Sequence, residues 1–142
     1  MNQVTIEQAR TIIAKAFAEG EVRSLKPLSV AVLDPGGHLI AFERQDGAST
    51  LRHKIAAGKA AGALALGVSS RKIAEMAVER PTFVGAVGTI APDGIIPAAG
   101  GLIIVGGNDE PLGAVGVTGD TSDNDELCAI AGIQATGLDY RP

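Results

Sequence analysis

The sequence has no tryptophan, one tyrosine and three phenylalanines in 142 residues. So few rings leave no stacking platform, which argues against recognition of single-stranded DNA or RNA. A formal charge of −4 argues the same way, because phosphate backbones call for cationic surfaces. The single cysteine, Cys128, excludes an internal disulfide framework and any metal cluster built on cysteine alone. No apolar run approaches the roughly 20 residues of a membrane span. Residues 1–8 carry neither a basic n-region nor an apolar h-region, so no secretory leader is expected. Walker A, HExxH, CxxC and GxSxG patterns are missing too. The expectation is a cytoplasmic protein without nucleic-acid or membrane partners and without a metal site.

What remains is 46% hydrophobic and 20% charged, the composition of a globular chain, and the length suits one domain over 1–142. The charge is lopsided. Residues 1–80 carry eleven Lys and Arg against eight Asp and Glu, whereas residues 81–142 carry one against eight. This is either chance in the solvated faces or a basic pocket in the first half for an anionic ligand.

Thr5-Ile-Glu-Gln8 has the pattern of a helical capping box, and Ile6, Ala9, Ile13, Ala16 and Phe17 continue it as a stripe up to Gly20. Ser29–Leu33 and His38–Arg44 read as strands joined by the turn Asp34-Pro-Gly-Gly37. Leu51–Leu66 reads as a helix capped by Ser49 or Thr50 and stopped by Gly67. Its many Ala and Gly residues imply close approach to a sheet or another subunit. Ser69 or Ser70 opens the next helix, which ends before Pro81. Val84–Ile90 fits either strand or helix. Leu102–Val105 and Leu112–Thr118 form a second hairpin, and Asp123 is the expected cap of the final helix. Helices and antiparallel hairpins in this order mean an α+β fold on one antiparallel sheet. The first and last helices would compete for that sheet, so at least one helix pair should need another subunit.

Gly113-Ala-Val-Gly116-Val-Thr-Gly119 lacks the spacing and βαβ context of a dinucleotide loop. The acidic run from Asp120 is not an EF-hand, because its sixth and twelfth positions hold Asp125 and Ala131. The candidate site lies around the loop and helix after the first hairpin. Arg44 and Asp46 leave the strand, and Ser49 sits at a helix N-terminus that favours anions. Arg52 and Lys59, seven residues apart, share a helix face and suit an apolar ligand with carboxylates. Alternatively, Arg44 and Asp46 pair with each other while Arg52 and Lys59 extend to water. Gly100, Gly101 and Gly119 would leave room for the ligand, and Asp120 or Glu126 would come from a neighbouring subunit. Asp46 and His53 are the candidates for moving a proton.

Ala31–Ala48, Ala57-Gly-Lys-Ala60, Pro97–Ile104, Gly113–Gly119 and Asp125-Glu126 together resemble the GlcG/HbpS-like family, related to the PduO C-terminal domain. The resemblance runs over nearly the whole chain. It implies a profilin-like domain with a five-stranded antiparallel sheet and flanking helices, in a homo-oligomer. Some members bind haem, corrinoid-related ligands or iron, and some degrade haem. Two functions follow as expectations. The first is a binding protein for haem or a related planar or carboxylated ligand, with His53, His38, Met76, Tyr140 and Cys128 as axial candidates. The second is an isomerase, lyase or hydrolase of a catabolic pathway, with Arg52 clamping a substrate carboxylate.

Overall fold

A computed structural model describes residues 2–142. Among them, five helices and five strands follow in the order α1 (Ile6–Val22), β1 (Ser29–Leu33), β2 (Leu39–Arg44), α2 (Arg52–Leu66), α3 (Ser70–Glu79), α4 (Pro81–Ile90), β3 (Gly101–Val105), β4 (Pro111–Thr118), α5 (Ser122–Ala135) and β5 (Asp139–Arg141). The strands form one antiparallel sheet in the order β2-β1-β4-β3-β5. This is the expected α+β fold with its five strands.

Alternation along the strands sends successive side chains to opposite faces. Val30, Val32, Leu102, Ile104, Val115 and Val117 face α1 and α5, where Ile12, Ile13, Cys128 and Ile133 complete the larger core. Leu33, Ala114, Ile103 and Val105 face α2 and meet Ala60 and Ala63. α1 and α5 lie against each other on the first face, and Gly132 lets the Ile12 carbonyl come close. Both faces are therefore covered within one chain. This corrects the expectation that competing helices leave a face for another subunit: α1 and α5 share one face and α2 takes the other.

On the α2 side the packing is backbone to backbone. A Cβ at Gly116 would collide with the Ala56 carbonyl, and one at Gly101 with the Lys59 carbonyl. The Ala and Gly residues of α2 thus bring the helix onto β3 and β4.

The capping box at Thr5 forms as expected, though α1 continues past Gly20 to Val22. Ile6, expected in the buried stripe, is 45% exposed, and Ile12 takes an inward place instead. Ser69 caps α3 by accepting from the Lys72 N–H. Two further readings need correction. Neither Ser49 nor Thr50 caps α2: the cap is Leu51, in helical conformation and without a side-chain hydrogen bond. The final helix is capped by Thr121, which accepts from the Asn124 N–H, and not by Asp123. Of the two alternatives left open for residues 84–90 the structure takes the helix, because Pro81 at the first position of α4 restarts a helix where α3 ends at Arg80.

Candidate functional site

α2, β1 and β2 frame an open cleft of about 390 Å³, closed on its outer side by Pro92 and Asp93. Ala31 and Ala57 form a smooth floor, and Leu39 and Phe42 form an apolar wall. The loop after α4 comes close because Gly58 and Gly62 of α2 leave space for Ile96 and Ile95. His53 and Lys54, in the first turn of α2, stand at the rim.

The His53 ring is held in place. Its Nδ1 lies 3.0 Å from the Thr50 carbonyl oxygen, and Phe42 meets the ring edge-on, with centroids 6.4 Å apart at 71°. A carbonyl only accepts, so Nδ1 carries the proton and donates it. Nε2 has no protein partner among the described residues. An imidazole whose Nδ1–H is anchored on a carbonyl while Nε2 stays free is oriented for metal ligation or proton transfer.

A second polar group lies at the end of the sheet beside α2. Arg52 donates from Nε to Ser49 Oγ at 2.9 Å and from one terminal nitrogen to Thr118 Oγ1 at 2.8 Å. About two turns further along α2, Lys59 is 3% exposed. Its ammonium donates to the Val117 carbonyl at 2.9 Å and to Asp125 Oδ2 at 3.2 Å. Asp125 Oδ1 accepts from the Asp120 N–H at 2.9 Å. Burial pushes Lys59 below its ordinary pKa, against the pull of Asp125, and pushes Asp125 above its own, against the pull of Lys59. The charge expected to meet a ligand is thus engaged inside the protein. Gly100 and Gly101 are occupied the same way, for both lie against Lys59.

Asp120 accepts hydrogen bonds from Asn124 and from the backbone N–H groups of Lys26 and Thr121, which lower its pKa to about 2. A folded-state value below the ordinary 3.8 means stability that is present above pH 3.8 and lost as pH falls through about 2. Acid titration of the melting temperature between pH 4 and 2 should therefore fall less steeply for Asp120→Asn than for the wild type. Equal slopes would mean that Asp120 contributes nothing to acid sensitivity.

The remaining candidates lie elsewhere. Arg44 and Asp46 line a separate depression of about 560 Å³ with Phe17, Glu21 and Pro27, on the α1 side. No ion pair joins the two among the described residues. Asp46 and His53, the expected proton carriers, do not share a cleft. Glu126 pairs with Arg71 of α3 at 3.0 Å, and Gly119 is pressed against the backbone of Pro27 and Leu28. Of the five axial candidates only His53 lines the cleft. His38 pairs with Asp34 in the hairpin turn at 3.2 Å, and Tyr140 lies by β3 with Leu102. Met76 is on α3, and Cys128 is buried with its pKa pushed up to about 11 by desolvation. Sequence reading missed Phe42, Lys54 and Asp93 as cleft residues and Asp125 as the Lys59 partner.

A family model described as "Haem degrading protein HbpS-like" matches residues 4–134. The chain belongs to the HbpS-like family. Solved structures agree. The chain superposes on Klebsiella pneumoniae protein ORFY with a TM-score of 0.86 at 25% identity, covering 96% of this chain and 92% of that one. A doubly substituted HbpS from Streptomyces reticuli gives 0.81 at 27% identity, covering 94% and 87%. A PduOC:haem complex gives 0.86 at 16% identity, covering 99% of each chain, a likeness of fold. No curated protein matches the chain. Among the described residues of this HbpS-like chain, no helix is long and apolar enough to cross a membrane, and no group of three or more His, Cys, Asp or Glu is placed to hold a metal ion.

Proposed function

We propose that this HbpS-like protein binds haem in the cleft between α2 and the β1–β2 hairpin, with His53 as the iron ligand. One observation carries the reading: the His53 ring is fixed through Nδ1 to the Thr50 carbonyl, leaving Nε2 unpartnered at the edge of an apolar cleft. The residues fit the group. A porphyrin needs apolar walls, one nitrogen or sulfur donor and cations for its acid side chains. The cleft offers Leu39, Phe42 and the Ala floor, then His53, then Lys54. Bound haem would supply the iron, while the chain orients the imidazole and offers apolar walls to the ring. The family description and the likeness to HbpS support the same reading.

Titration with haemin is expected to give a saturable, one-to-one Soret shift. Weak association that never saturates would contradict the proposal. Haem-degrading activity is the finer part of the reading. It predicts steady bleaching of the bound Soret band in air with ascorbate in the wild type, and a stable band in His53→Ala. A band equally stable in both limits the function to binding.

Self-association is the companion proposal. α4 carries no charged residue in ten, and its neighbour is α3. Val78, Phe83 and Ile90 stand 84%, 41% and 80% exposed on this pair. A second copy would cover these side chains, with the uncharged α4 at the centre of the contact and Arg80, stacked on Phe83 at 4.1 Å, at its edge. Light scattering at micromolar concentration should give a mass well above 14.3 kDa; a mass of one chain would contradict it.

A further inference from the structure

Ser29 is fully buried, and its hydroxyl has no hydrogen-bond partner among the described residues. Buried polar atoms are nearly always paired, so such an orphan marks the place of a missing partner. Its neighbours indicate the chemistry of that partner. Ser29 stands opposite Thr118 of β4 in the sheet register. Residues directly opposite share a face, with Cβ atoms about 4.5–5.5 Å apart. Thr118 Oγ1 is the atom that Arg52 touches at 2.8 Å, so the cross-strand neighbour of Ser29 already carries a guanidinium. Arg52 is half-buried, and its other terminal nitrogen has no protein partner among the described residues. The Ser29 side chain thus stands on the same sheet face as a hydroxyl that holds a guanidinium. The buried acid of this region, Asp125, is held by Lys59. Arg52 has hydroxyl acceptors in Ser49 and Thr118 but no carboxylate partner among the described residues.

The place adjoins the cleft. Ser29 is two residues from Ala31 on one face of β1, a step of about 6.6 Å, and Arg52 precedes His53 on α2. We propose that Ser29, Thr118 and Arg52 form a seat for one carboxylate of the bound ligand, opened from the cleft when the Arg52 side chain swings off Thr118. The inference rests on the haem reading, in which that carboxylate is an acid side chain of the porphyrin. The guanidinium then donates two parallel bonds to the carboxylate, and the hydroxyls of Ser29 and Thr118 donate to its oxygens. Ser29 thereby gains the partner it lacks.

The test compares haemin with haemin dimethyl ester, whose acids are masked. The wild type should bind haemin at least tenfold more tightly than the ester. Ser29→Ala and Arg52→Gln should each lower haemin affinity towards that of the ester and leave ester affinity unchanged. The melting temperature of ligand-free Ser29→Ala should equal or exceed that of the wild type, since the deleted hydroxyl has no partner to lose. Ser29→Ala therefore tests the seat by itself if Arg52→Gln is poorly folded. A haemin-to-ester ratio unaltered in Ser29→Ala overturns the seat, leaves Ser29 with a water only and keeps the haem reading. Failure of both ligands to saturate the wild type overturns the haem reading and the seat together.

Discussion

Gly116→Val is expected to destabilise the fold by at least about 3 kcal/mol, lowering the melting temperature by about 10 °C or more. The reason is backbone against backbone. A Cβ at this position would strike the Ala56 carbonyl and stand 3.1 Å from the Ala60 nitrogen. Neither atom can rotate away as a side chain would. α2 would have to lift from β4, taking Ala60 and Ala63 out of their contacts with Leu33, Ile103 and Ala114. Gly85→Ala in α4 is the matched control, because a Cβ there meets nothing within 4 Å. It should be neutral or stabilising by up to about 1 kcal/mol through helix propensity. Urea unfolding of the two variants checks both. Wild-type stability for Gly116→Val would mean that α2 does not touch the sheet in this way.

The second large effect concerns the ion pair between α2 and α5. Asp125→Ala is expected to cost about 3–5 kcal/mol, because it leaves the Lys59 ammonium buried without a counter-charge. Lys59 and Asp125 are 3% and 2% exposed in their side chains. Burial lowers the one pKa and raises the other, so for each charge desolvation outweighs the partner's attraction. Removing both charges should therefore cost less than removing one. Lys59→Met combined with Asp125→Asn keeps an acceptor for the Asp120 N–H and should be clearly more stable than Asp125→Ala. A double-mutant cycle through Lys59→Met and Asp125→Asn should return a coupling of about 2 kcal/mol. Additive single effects would show that the two side chains do not meet.

Much of the framework was legible because it is written locally. The Asp34–Gly37 turn between apolar runs, the Thr5–Gln8 box and the Gly67 stop are each decided within a few residues. Elements without such signals were not. α4 has small and apolar residues all round and so shows no polar face, and β5 is three residues whose strand character comes only from pairing with β3. Ser49 and Thr50 have the chemistry of caps, yet the chain enters α2 through a helical Leu51, and Ser49 holds Arg52 instead.

The site divided in the same way. His53 was visible as a residue in the first turn of a small-residue helix, and its anchor, Thr50, is three residues back. Lys59 was placed correctly on the face it shares with Arg52, but its partner lies 66 residues away on α5. Local spacing cannot show that. The glycines at 100 and 101 suggested room for a ligand, whereas the space is filled by Lys59. A lysine within a run of Ala and Gly was itself a signal, since a charge on a face bound for burial requires a carboxylate.

The central claim is that His53 Nε2 holds the iron of a bound haem. Its most direct test is the visible spectrum of ferric haemin bound to His53→Ala, recorded before and after addition of free imidazole. The wild type should show a histidine-ligated Soret band. His53→Ala should lose that band position, and imidazole should restore it by entering the vacated place against Phe42. A His53→Ala complex whose spectrum matches the wild type without imidazole would contradict the account.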